Sequence, residues 1–68
     1  MQISNRVWIE VKMGIVEINS LDGITVRVSV RNIKNCMRVD DPGIFYVTDN
    51  KNEIQLSPAE FYALRNAV

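Results

Sequence analysis

Polar and apolar residues alternate through the segment GITVRVSVR. Ile24, Val26, Val28 and Val30 fall on one side, and Thr25, Arg27, Ser29 and Arg31 on the other. A strand sends successive side chains to opposite faces, and β-branched residues favour such a surface. The segment therefore reads as a strand with one buried face. The residues before it, SLDG, fit a three-residue hairpin loop with Gly23 at its left-handed last position. In that register Ile18 faces Val26 and Val16 faces Val28, while Glu17 stands opposite Arg27 on the reverse face. Extended outward, it also sets Glu10 opposite Lys34.

Upstream, the alternation changes parity. Val7, Ile9 and Val11 are odd, whereas Val16 and Ile18 are even, and the change falls at Met13-Gly14. The other side changes too: Val30 is even, but Ile33, Met37 and Val39 are odd. Gly14 lies opposite Val30 in the same register, so both switches come at one level. The expected arrangement is one long hairpin, residues 6–19 with 24–38, bent at Gly14, because glycine inside a strand often marks a bulge or bend. The competing arrangement is a tight turn at Met13-Gly14. It places Met where Asn or Asp is usual.

VDDPG, residues 39–43, is a turn signal. Two short strands follow, 44–48 and 53–56, and their pairing matches Val47 with Ile54 and Phe45 with Leu56. Then comes SPAEFYALRNAV. Ser57 suits an N-cap, Pro58 the first helical position, and Glu60 completes a capping box. Phe61, Leu64 and Val68 recur at helical spacing. A helix over 58–67 is expected, with those three side chains as its packing or dimerisation face. The fold class is α+β: a single domain, 1–68, with a small antiparallel sheet or partly open barrel and one C-terminal helix.

The segment IQLSPAEFYALR, residues 54–65, resembles the strand-into-helix ending of single-stranded-DNA-binding transcriptional coactivators. The resemblance covers this segment alone. Those proteins dimerise through the helix, so it implies helix-mediated dimerisation here.

Chemistry narrows the functions more than it names one. The chain has no histidine and a single cysteine, Cys36, so no internal disulfide and no structural zinc site can form. The commonest general base is missing, and Cys36 has no histidine to activate it. Gly14, Gly23 and Gly43 are isolated, which excludes a glycine-rich phosphate loop. Asp40, Asp41, Asp49 and Glu53 lack the spacing of a calcium loop and read as turn residues. No enzyme, cofactor or metal is expected. No apolar run approaches the ~18 residues of a membrane span, and one unpaired thiol fits a reducing compartment. The expectation is a cytoplasmic protein with no membrane association.

A chain of 68 residues is marginal without support, and without disulfide or metal that support is oligomerisation. A homodimer is expected. Formal charge is zero but unevenly spread. Residues 1–39 carry six basic against three acidic groups, residues 40–68 two against five. In the long-hairpin register the outer reverse face gathers Arg6, Trp8, Lys12, Lys34 and Arg38. A tryptophan among basic groups is a candidate interaction face, for a protein or for single-stranded nucleic acid. Seven asparagines and eight isoleucines suggest an AT-rich genome. Taken together, these features point to a non-enzymatic protein-interaction module, homodimeric, of the kind with which a phage or mobile element occupies and inhibits a host protein. A small nucleic-acid-binding β domain and a structural subunit of a larger assembly are the alternatives.

Overall fold

The parity change at Met13-Gly14 is a hairpin turn. The computed structural model describes residues 1–68 and places β1 at Val7–Lys12 and β2 at Ile15–Ser20, antiparallel. Only Met13 and Gly14 separate them. Both have positive φ, 54° and 76°, as a two-residue type I′ hairpin loop requires. An even-length loop pairs odd residues with even ones: Ile9 with Ile18, Val11 with Val16. The parity switch is thus the ordinary signature of such a loop. The expected bend in a single strand 6–19 does not exist.

β3, Thr25–Ser29, pairs with β2 in the register expected, Glu17 opposite Arg27 and Ile18 opposite Val26. Gly14 and Val30 do meet, through a 2.9 Å hydrogen bond from the Val30 amide to the Gly14 carbonyl. Beyond that point the expected strand 24–38 is broken. A single helical turn, α1 (Ile33–Cys36), intervenes and buries Ile33 in the core. It accounts for the second parity change. The chain then enters a second sheet.

That sheet holds β4 (Met37–Asp40), β5 (Ile44–Thr48) and β6 (Glu53–Leu56), followed by α2 (Pro58–Ala67). Its order is β4-β5-β6, and the first sheet's order is β1-β2-β3. The chain thus runs twice through three antiparallel strands and a helix. Phe45 pairs with Leu56 and Val47 with Ile54, the register read from the sequence. The fold is α+β, two open three-stranded sheets with one C-terminal helix, rather than a closed barrel.

The core lies between the sheets. Val7, Ile9, Val16, Ile18 and Val26 face it from the first, Val47, Ile54 and Leu56 from the second. Phe61 and Leu64 close it from α2, with Val68 packed alongside. Phe61 meets Phe45 edge-on at 5.0 Å. The face of α2 expected to pack or dimerise therefore packs on its own chain. The radius of gyration, 10.8 Å, equals the ~11 Å of a compact chain of this length. The helix begins as its sequence requires: Ser57 accepts from the Glu60 amide, and Glu60 accepts from the Ser57 amide. No helix is long and apolar enough to cross a membrane.

Candidate functional site

The register that would have gathered Arg6, Trp8, Lys12, Lys34 and Arg38 on one face does not form. β1 pairs with β2 rather than with residues 32–38. Lys34 lies on α1 and Arg38 on β4, in the other sheet. Glu10 stands opposite Glu17, not Lys34. Trp8, half-buried, faces Asn19 across the ladder. Its surroundings on the outer face are a polar chain. Thr25 donates to Asn19 at 2.8 Å, and the Arg27 guanidinium donates to Glu17 at 2.7 Å. That hydrogen bond from Arg27 holds the Glu17 carboxyl below its ordinary range and raises the guanidinium in turn. Two carboxylates therefore share the Trp8 face with Lys12 and Arg27, so it is of mixed charge rather than basic.

Arg6 has a structural role. Its guanidinium donates to the Gln55 carbonyl and to Glu60, each at 2.7 Å. Glu60 is 5% exposed. The Ser4 hydroxyl also donates to it, and the same hydroxyl accepts from the amides of Arg6 and Val7 at 3.2 Å. Burial pushes the Glu60 carboxyl up. The donors from Ser4, Ser57 and Arg6 outweigh burial and hold it below its ordinary value. The network ties the N-terminal segment to the start of α2. Every buried side-chain polar atom in the chain has such a partner.

The β5–β6 loop performs a similar task for the first sheet. Asp49 accepts from the Lys51 and Asn52 amides at 2.7 and 2.6 Å, and from the Arg27 amide at 3.1 Å. Those amides, Asn52 and Lys51 foremost, depress its carboxyl. Asn52 donates to the Thr25 carbonyl at 3.0 Å. No three His, Cys, Asp or Glu side chains converge as metal ligands. The largest hollow is an open groove of about 580 Å³ between the β2–β3 turn and β6. Its charged lining, Arg6, Asp22 and Glu53, is of mixed sign. Cys36 ends α1 half-buried against the core.

Outside these satisfied groups, the most exposed apolar side chain stands at the tip of the β1–β2 hairpin. Met13 is 94% exposed, and a bulky side chain at positive φ is uncommon. Val11, 56% exposed, and Ile15, 43% exposed, flank it. Beside Val11 lies a hollow of about 480 Å³, lined by Met1, Ile9 and Ala67 among others. Val11 belongs to the core-facing row of β1, but on this edge strand it stays exposed while Val16, opposite it on β2, is buried. A bent strand over residues 6–19, paired with 24–38, has no hairpin tip here, so it hides this surface. Its one signal in the sequence was methionine at a turn position that favours asparagine.

No family model matches the chain, and neither a curated protein nor a solved structure is similar to it.

Proposed function

We propose that the protein is a non-enzymatic interaction module that works as a homodimer, and that the β1–β2 hairpin tip is the surface it presents to a different protein. The observation that carries this reading is Met13. An exposed apolar side chain at a strained turn position has no value to the fold, which asparagine would serve better. Strain of this kind concentrates where a protein makes its contacts, and methionine is enriched at interfaces for its adaptable, polarisable side chain. The partner surface that suits it is an apolar pocket wide enough for an unbranched side chain, with an apolar rim for Val11 and Ile15. A chain without histidine, whose buried polar groups are all bound within the fold, supports binding over catalysis. The carboxylates Glu10 and Glu17 beside Trp8 argue against a nucleic-acid face there. Small size and asparagine- and isoleucine-rich composition support a phage or mobile-element origin and a role in the cytoplasm, occupying a host protein.

The test compares wild type with Met13→Asn, which keeps the turn and removes the anchor. Photo-crosslinking from residue 15 in a host lysate should label a defined protein with wild type and lose it with the variant. Equal labelling by both would overturn the reading.

A further inference from the structure

Each sheet has two outer edges, and three of the four take hydrogen bonds from elsewhere in the chain. Along β1, the Ile9 amide donates to the Met1 carbonyl at 2.8 Å and the Ile3 amide to the Val7 carbonyl at 2.9 Å. Met1 returns a bond from its nitrogen to the Ile9 carbonyl at 2.7 Å. Along β3, Asp49 takes the Arg27 amide and Asn52 bonds the Thr25 carbonyl. On β6, Arg6 bonds the Gln55 carbonyl. The edge of β4 has no such cover: its one neighbour is β5, and nothing else in the chain bonds the backbone of Met37, Arg38 or Val39.

An unpaired edge is a template for another strand. This one is also apolar on its inner face. Val39, 55% exposed, pairs with Phe45, whose ring lies 6.2 Å from that of half-exposed Tyr62 on α2. On the outer face stand Arg38 and Asp40. Neither takes part in an ion pair within the chain, though Asp40 is held in place by the Tyr46 hydroxyl at 2.6 Å.

We propose that a second copy of this chain occupies the edge, β4 against β4, antiparallel about a two-fold axis at Val39. The charge order selects this partner and this register. Centred on Val39, the pairing sets Arg38 of each copy opposite Asp40 of the other, two complementary pairs on one face, with the two Val39 side chains together on the other. Centred on Arg38 it would oppose two arginines, and centred on Asp40 two aspartates. A one-residue slip would turn one copy's apolar face to solvent. Each copy's sheet then continues into the other's, six strands across. Four residues a side make a small interface, so the dimer is of the weak, exchangeable class. The inference rests on the reading of the protein as a self-associating module and supplies its interface.

The test is sedimentation equilibrium from about 1 μM to about 1 mM protein, on chains checked for cooperative thermal unfolding. Wild type should dimerise. Arg38→Glu and Asp40→Lys, both at exposed positions, should each weaken the dimer at least tenfold. Mixed in equal amounts the two should recover it, because the mixed pair restores both complementary contacts. The double variant should recover it alone. Wild-type dimerisation unchanged in the single variants, or weakened without recovery on mixing, would overturn this interface and leave self-association standing. A wild type that stays monomeric throughout would overturn both, while the crosslinking from the hairpin tip would still stand on its own result.

Discussion

The side-chain amide of Asn52 donates to the backbone carbonyl of Thr25 at 3.0 Å, across 27 positions of sequence. A turn in the second sheet thereby supplies what the edge strand of the first would otherwise have to find in solvent or in another chain. The N-terminal segment and Arg6 do the same for two further edges. This self-capping separates the molecule's internal needs from the surfaces it leaves over: the hairpin tip and the edge of β4.

Met13 sits in the left-handed region at a cost of about 1–2 kcal/mol for an ordinary residue. Met13→Asn should therefore stabilise the fold by about 1 kcal/mol, since Asn-Gly is the preferred pair for this loop. In a chain of this size that is a rise of roughly 4–8 °C in Tm. Differential scanning calorimetry of the two proteins reads it. A gain in stability beside a loss of crosslinking is the pattern expected of a residue retained for binding.

Glu60 predicts the acid response. Its folded-state carboxyl lies below its ordinary value of 4.5, so the ionised form stabilises the fold. That contribution is complete above the ordinary value and is lost as pH falls through the lower folded-state value. Glu60→Gln should flatten the fall in stability below about pH 4.5. Glu60→Ala, which also removes the capping-box acceptor, should cost about 2 kcal/mol at neutral pH. Urea denaturation at a series of pH values distinguishes the two effects.

Glu10 faces Glu17 directly across β1 and β2, and like charges so placed are unfavourable. Arg27 bonds Glu17 and leaves Glu10 unmatched. Glu10→Gln should raise the thermal midpoint at low ionic strength. The gain should shrink at about 1 M salt, where the screening length is ~3 Å. A gain independent of salt would point to something other than charge.

Most of the second half of the fold can be read directly from residues 44–67. The pairing of Val47 with Ile54 and the capping box of Ser57 and Glu60 depend on local signals, and each is formed as read. The first half is harder because one pattern has two geometric causes. Odd apolar residues before Met13-Gly14 and even ones after suit a bent strand or a two-residue turn equally. Methionine weighed against the turn. The sheet overrides that preference, because the turn lets Val7 and Ile9 share a core face with Val16 and Ile18. The bent-strand register also sets Lys34 and Arg38 beside Trp8, which the turn at Met13-Gly14 forbids. The single turn of α1 carries too few residues to show a helical period, so nothing in Ile33–Cys36 announced the crossing to a second sheet. The capping of edges by Asp49 and Asn52 was equally hidden. Asp and Asn in a turn are expected for local reasons, and only the tertiary arrangement reveals a second use.

The central claim is that the fold bonds three sheet edges from within and leaves β4 for pairing. Native-state amide exchange at low and at high protein concentration tests it most directly. In dilute protein the Ile9 and Arg27 amides should be protected, and the outward amides of β4 should exchange as fast as those of a loop. At high concentration β4 alone should gain protection. Outward β4 amides already protected in the dilute monomer, or Ile9 and Arg27 exchanging freely there, would contradict the account.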